Sequence, residues 1–337
     1  MSSSLATKYL GLDLKNPLIA SSSPLNRDLD NLRRLEDAGA AAVVLPSLFQ
    51  EQIEAELEAH DTLIGASANS SPEAQNYFPA SAEGGPYGLG PHRYLNLIRR
   101  AAEALSIPVI ASLNGSSRAG WVEYAGLIEA AGASAIELNM YHVPTDLMES
   151  GRDIEARYQE IVAAVCGSVA LPVSVKLTPY LSAVGHFAST LTASGAAGLV
   201  LFNRLMEPDI DLLRMKLIDT PVLSTSAELR LPLLWTAILA GRLHGASLAV
   251  SSGVNNAQDV VKCLLAGADV VMTASAILHS GIGEMTKLVE GLRGWMQARD
   301  FADVAQMRGI MSWERSRDKT VYSRANYLRI LQNYAAR

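Results

Sequence analysis

Eight short apolar runs recur along this chain, each separated from the next by a longer, less apolar stretch. This alternation restricts the fold more than any other feature. The runs are PLIAS (17–21), AAVVL (41–45), PVIASL (108–113), SAIELN (134–139), PVSVKL (172–177), AGLVLF (197–202), ASLAVS (246–251) and DVVMT (269–273). Val, Ile and Leu stand at both parities within them, the pattern of strands buried on both faces in a parallel sheet covered by helices. Amphipathic stretches predict helices over 28–38, 92–105, 119–131, 152–168, 184–194, 232–244 and 256–266. Eight strands alternating with helices predict an α/β fold of the closed (β/α)8 TIM barrel kind rather than an open sheet. The turns DAGAAA, EAAGASA, TASGAAG, LHGAS and LLAGAD support one repeated unit, each placing Gly just past a helical run, where a left-handed residue stops the helix.

The 337 residues exceed the ~250 of a bare barrel, so a single domain over 1–337 needs insertions. One is the stretch 60–91, rich in Ser, Pro, Gly and Asn, which follows the second strand and a short acidic helix at EQIEAELEA. A loop of that length in a barrel reads as an active-site cover. A second irregular stretch, 203–231, is expected to hold an extra short strand at PVLST, and the tail 283–337 reads as helices packed outside the barrel.

A net charge of −6 gives no basic field for nucleic acid. Arg308, Arg315, Arg317, Arg324 and Arg329 gather near the end but are interleaved with acids and apolar residues, as in a solvated or subunit-contacting helix. Cys166 and Cys263 have neither metal-ligand nor disulfide spacing and read as two buried apolar thiols, and no metal site is expected. The opening MSSSLATKYLGLDL lacks the basic and apolar regions of a signal peptide. No apolar run approaches the ~20 residues of a membrane span, so the expectation is a cytoplasmic protein with no membrane partner.

Sites on such barrels form at the C-terminal ends of the strands. The polar residues there are Ser21–Ser23, Ser47, Asn114, Asn139, Lys176, Asn203, Arg204, Ser251, Ser252, Thr273 and Ser275. Several Asn side chains, each with donors and an acceptor, suit a planar ligand rich in amides. Lys176 ends an otherwise apolar strand, where a buried ammonium is costly unless it serves a ligand or a partner. Three readings stand: an ion pair with Glu137 on the preceding strand, a fixed charge beside a reduced flavin, or a Schiff-base amine. The ends of strands seven and eight, SSGV (251–254) and TASA (273–276), together form the kind of place where a barrel binds phosphate.

The segments IELN (136–139), VKLTPY (175–180), SSGVNNAQDVVKCLLAGADVV and RANYLRIL resemble those of the dihydroorotate dehydrogenases. The resemblance is to the soluble class 1 type and, within it, to bacterial dihydroorotate dehydrogenase-like proteins, and it runs over most of the barrel. It implies FMN as cofactor, with contacts from Ala20, Ser47, Asn139 and Lys176; Ser21 and Asn114 at neighbouring strand ends join them. The family's phosphate-binding glycine pair falls on Ser252 and Gly253, and its Gly-Thr after strand eight on Ala274 and Ser275. Asn203 matches a substrate-facing Asn, and Asn139 serves both ligands. The resemblance also implies a homodimer and a small-molecule substrate, and it names no electron acceptor.

The substrate side departs from the family's pattern. A Lys-Ser pair reads Pro46-Ser47, and Asn-Leu-Ser-Cys-Pro-Asn reads Asn139-Met140-Tyr141-His142-Val143-Pro144. The catalytic Cys position is therefore His142, a substrate Asn is Pro144, and the Ser after Asn203 is Arg204. His142 remains able to act as a base, its ordinary pKa of ~6.5 lying nearer neutral than the ~8.5 of a thiol, with Tyr141 as partner or alternative donor. Arg204 suits an anionic substrate, unless it pairs with Glu207 or Asp209. His92 and Arg93, at the end of the insertion, are further candidates. The expected chemistry is hydride transfer between flavin N5 and a small, anionic cyclic substrate in an altered pocket. The alternatives are oxidation of dihydroorotate itself, a Schiff-base lyase built on Lys176, and a non-catalytic flavin or electron-transfer protein.

Overall fold

A computed structural model describes residues 3–49, 91–114, 118–218, 220, 222–243 and 245–335. The expected acidic helix at 51–59 and the cover at 60–91, apart from the start of a helix at Pro91, lie outside these residues.

The chain opens with a hairpin of β1 (Thr7–Tyr9) and β2 (Leu12–Leu14). Its turn places Leu10 and Gly11 at φ 53° and 79°, the pair of positive values of a type I′ turn. A Leu at the first of these positions hides the hairpin from sequence reading. The hairpin caps the N-terminal end of the barrel: Leu10 N–H donates to Ser247 Oγ at 3.0 Å and Thr7 Oγ1 to the Asp269 carbonyl at 3.1 Å.

The barrel strands are β3 (Leu18–Ala20), β4 (Ala42–Phe49), β5 (Val109–Asn114), β6 (Ala135–Asn139), β7 (Val173–Leu177), β8 (Gly198–Leu201), β11 (Ser247–Val250) and β12 (Val270–Thr273). They close in the order β11-β12-β3-β4-β5-β6-β7-β8, every neighbouring pair parallel. This is the expected (β/α)8 barrel, and helices follow the strands where the periodicity predicts them.

The period of two along a strand divides the core in two. Val43, Leu113, Ile136, Leu138, Val175 and Leu199 pack outward against the helices. Ile19, Val44, Ile110, Ala135, Val200 and Met272 pack inward with Tyr9 and Leu14 of the hairpin. On β5, β6 and β7 the inward parity then turns polar toward the C-terminal end, through Ser112, Glu137 and Ser174 to Asn114, Asn139 and Lys176, all buried.

The extra strand expected at PVLST is not formed: residues 222–225 join no sheet. A hairpin of β9 (Asp209–Asp211) and β10 (Lys216–Ile218) stands nearby instead. Its turn is set by the Asp211 carboxylate, which accepts from the N–H groups of Leu213 and Arg214 at 2.9 and 3.0 Å. The PVLST segment is committed elsewhere, because Thr225 forms a capping box with Glu228 and Ser224 bonds Ser275.

The tail forms helices Glu284–Gln297, Val304–Met307 and Ala325–Ala335. The first buries Met285, Leu288, Leu292 and Met296 against the outer core. Arg308 pairs with Asp269 and Arg329 with Asp318. Cys263 is fully buried, whereas Cys166, at the end of its helix, is only partly so; burial still pushes its thiol up to about 11. Cys166 closes its helix, whereas Cys263 sits inside one. Among the described residues no helix is long and apolar enough to cross a membrane.

Candidate active site

Parallel pairing sets Asn139 directly opposite Lys176 at the C-terminal ends of β6 and β7. Ser47 reaches the same interior through a register shift in β4 between Val44 and Ser47. Without the shift, alternation from inward Val44 would turn Ser47 out and Leu48 in; with it, Leu48 joins the outer core. A bulge commonly re-aims one side chain in this way, and Pro46, which has no N–H for a ladder, occupies the irregular position.

A chain of amides and hydroxyls then crosses the mouth of the barrel. Asn203 Nδ2 donates to Asn139 Oδ1 at 2.5 Å, Asn139 Nδ2 donates to Ser47 Oγ at 3.0 Å, and Ser47 and Ser112 share a hydroxyl bond at 2.7 Å. Asn114 Nδ2 donates to the Asn139 carbonyl at 2.8 Å. Four strand ends are thereby tied together. Tyr94 steadies the far end, its hydroxyl donating to the Ser112 carbonyl at 2.9 Å and accepting from Ser112 N–H at 2.8 Å.

Lys176 is 8% exposed, and its Nζ lies 3.7 Å from Glu137 Oε1. The ion pair considered from the sequence is therefore present. It does not remove Lys176 from the cleft, which the side chain also lines. Burial pushes the Glu137 carboxyl up, and the Lys176 charge opposes that.

Across the mouth, Ser252 and Gly253 follow β11 with φ 73° and 76°. Gly253 is required there: a Cβ would stand 2.5 Å from Leu229 N. Ser252 takes the left-handed conformation despite its side chain, at a cost of about 1–2 kcal/mol, with its hydroxyl donating to the Phe202 carbonyl at 3.1 Å. Three groups converge beside them. Gly253 N–H donates to Ser224 Oγ at 3.2 Å, Ser224 N–H donates to Ser275 Oγ at 3.0 Å, and the two hydroxyls share a bond at 2.8 Å. Ser226 Oγ ties this wall to buried Asp259 at 2.5 Å.

One cleft of about 200 Å³ joins the two walls, bringing together Ser21, Lys176, Asn203, Arg204, Ser252, Gly253, Ala274 and Ser275. Asn26 fixes the β3 end, donating to the carbonyls of Ser21 and Val44 at 3.0 and 2.7 Å. Asn139 and Ser47 back the cleft through Asn203 rather than lining it. Ala20 is fully buried in the outer core and stands behind the cleft lining. The walls fit a ligand with an anion at one end, held by a cradle where only glycine fits, and a flat amide-bearing group at the other, beside a buried cation.

His142 and Tyr141 stand apart from the cleft lining, on the loop after β6. His142 is exposed, its Nε2 3.8 Å from Glu149 Oε2, and Glu149 also pairs with Arg157 at 2.7 Å. The Tyr141 hydroxyl accepts from Met206 N–H at 3.0 Å, linking that loop to the one after β8. Arg204 pairs with Glu228 at 2.9 Å, not with Glu207 or Asp209; Glu207 instead accepts from the Tyr180 hydroxyl at 2.7 Å. His92 and Arg93 face a separate cavity with Arg27 and Arg100. Ser224, Ser112, Glu149 and Glu228 were not singled out from sequence. Ser224 lies in the segment expected as a strand and is brought into the site only by folding, while the Thr225-to-Glu228 capping box was a readable sign that a helix starts beside the site.

Two comparisons with known proteins bear on this geometry. A family model described as dihydroorotate dehydrogenase matches residues 88–296. The catalytic subunit of dihydroorotate dehydrogenase B (NAD(+)) from Methanothermobacter thermautotrophicus is 28% identical over 91% of this chain and 98% of its own. The protein of the same description from Pyrococcus abyssi is also 28% identical, over 91% and 98%.

Proposed function

Because the chain belongs to the dihydroorotate dehydrogenase family, we propose that it is an oxidoreductase acting on CH–CH groups that holds FMN in the cleft at the C-terminal mouth of its barrel. The observation that carries this reading is the pairing of the two walls: Lys176 and Asn203 on one side, Gly253, Ser224 and Ser275 on the other. When bound, FMN supplies an acceptor for hydride. Lys176 offers a fixed positive charge to the isoalloxazine, and Asn203 offers its amide to the polar edge, with Asn139, Asn114 and Ser47 behind it. Ser275 presents its hydroxyl to the phosphate and Gly253, its N–H held by Ser224 Oγ, leaves room for it, with Ser252 and Ala274 shaping the backbone around it and Ala20 and Ser21 closing the β3 side.

The substrate is proposed to be small, cyclic and anionic. His142 takes the proton at the carbon next to the one that gives up hydride. Glu149 orients His142, and Tyr141 stands as the alternative donor. Arg204, with Asn203 and Asn139, recognises the substrate. Its charge is already partly met by Glu228, which makes it a modest anion site rather than a strong one. Pro46, His142, Pro144 and Arg204 occupy positions where the resemblance implies other residues, so the pocket is read as altered for a substrate other than dihydroorotate. Homodimerisation is proposed with it, and the hairpin 209–218 offers an apolar surface through Leu212, Leu213 and Met215.

Anaerobic addition of dihydroorotate and of a panel of small cyclic carboxylates to the flavin-loaded protein tests the reading. Bleaching of the flavin by a carboxylate other than dihydroorotate supports it. Rapid bleaching by dihydroorotate would overturn the altered pocket, and a flavin that none of them bleaches would favour a non-catalytic role.

A further inference from the structure

Among the described residues, Glu137 is the one charged side chain inside the barrel that the proposed function does not use. It stands on β6 one inward position below Asn139, is 1% exposed, and neither carboxylate oxygen has a hydrogen-bond partner among the described residues. A buried carboxylate without donors is costly and calls for an explanation. Lys176 supplies one, yet at 3.7 Å the contact is longer than the ~2.7–2.9 Å of a charge-assisted hydrogen bond. The pair is therefore held by charge alone, and the ammonium keeps its donors for the cleft above. Below, the Tyr9 hydroxyl is likewise buried, near Ser174 but without a well-formed hydrogen bond among the described residues. The interior thus carries a column of polar groups beneath the flavin position that no packing requirement demands.

We propose that Glu137 is a positioning residue for Lys176: its carboxylate anchors the ammonium from below and offsets its charge, so that the bound flavin faces an ion pair rather than a lone cation. The inference rests on the FMN reading above. A cation beside the ring favours the electron-rich reduced flavin, and a carboxylate behind that cation weakens the effect. Glu137 thereby sets how readily the cofactor accepts electrons while touching neither cofactor nor substrate.

The test is the midpoint potential of the bound flavin, measured by equilibration with a reference dye, in wild type, Glu137→Gln and Glu137→Met, and again with each in the Lys176→Met background. The expected result is a potential raised in both single Glu137 variants. The rise is expected to vanish in the Lys176→Met background, where a carboxyl without its counter-charge takes up a proton. Unchanged potentials in yellow Glu137 variants would overturn the inference, as would a rise of equal size with and without Lys176. Should the single variants fail to fold, Lys176→Met alone and Lys176→Met with Glu137→Met must share one potential, and a difference overturns the proposal. A wild type that binds no FMN overturns the functional reading and this inference together, whereas a yellow protein indifferent to Glu137 overturns this inference alone.

Discussion

Asn203 donates its side-chain amide to Asn139 Oδ1 at 2.5 Å, joining the loop after β8 to the last residue of β6. Asn139 also donates to Ser47, and an amide can do both because it carries an acceptor and two donors. Replacing Asn139 by Ala strands the Asn203 amide and takes one donor from Ser47, which keeps its bond to Ser112. The expected outcome is a loss of about 1–3 kcal/mol in stability and at least about tenfold weaker FMN retention, since 1.4 kcal/mol is tenfold in affinity. Urea unfolding and flavin fluorescence on dilution measure the two effects, and unchanged flavin release would remove Asn139 from the cofactor site.

Gly253→Ala places a methyl 2.5 Å from Leu229 N at a φ of 76°. Strain of this kind costs on the order of 1–3 kcal/mol, and moving Leu229 shifts the wall that Ser224 completes. The variant is expected to melt lower and to lose FMN. Ser252→Gly, by contrast, relieves a left-handed serine while losing one hydroxyl bond, so its stability should change by less than about 1 kcal/mol with FMN retained. Thermal melts and flavin content of both variants check the pair, and a Gly253→Ala protein that keeps its flavin would refute the cradle.

His142→Ala should abolish turnover of the true substrate and leave FMN bound, because His142 lies outside the cleft lining yet on the loop beside it. Rapid-mixing reduction of the flavin separates the two effects. Undiminished reduction by substrate would take His142 out of the chemistry and leave the His142–Glu149 contact at 3.8 Å as a surface pair.

Burial raises the folded-state pKa of Glu137 above the ordinary carboxylate value, with Lys176 opposing. Between the ordinary value of 4.5 and the folded-state value the folded protein holds a proton that the unfolded chain has lost, above both Glu137 is the carboxylate that faces Lys176, and this contribution to stability falls as pH rises through that window. Glu137→Gln, which cannot ionise, should gain on wild type as pH increases across that window. Unfolding midpoints of both proteins at several pH values above 4.5 measure it, and a constant difference would contradict the raised pKa.

The barrel was legible because strands buried on both faces leave a plain mark: AAVVL and PVSVKL predict β4 and β7 without reference to anything distant. Lys176 was legible for the same reason, as a charge where the pattern demands an apolar residue. Ser47 was named as a site residue, but the bulge that turns it inward was not foreseen, because register depends on the partner strand. Ser224 was missed because it lies inside the segment read as a strand, and Glu228 because a capping box says nothing of a distant partner; their roles come from contacts with Ser275 and Arg204, both distant in sequence. The PVLST segment was misread as a strand because β-branched and apolar residues do not reveal that a capping box and a side-chain bond already claim the backbone. The cover at 60–91 and the helix at 51–59 fall outside the described residues.

The central claim is an FMN site at the mouth of this barrel, and flavin content tests it most directly. Protein purified natively, or mixed with FMN and then freed of excess, is heat-denatured and the released flavin quantified against protein. One FMN per chain, lost in Asn139→Ala and Gly253→Ala, is the predicted result. A folded protein that retains no flavin even after incubation with FMN would contradict the account.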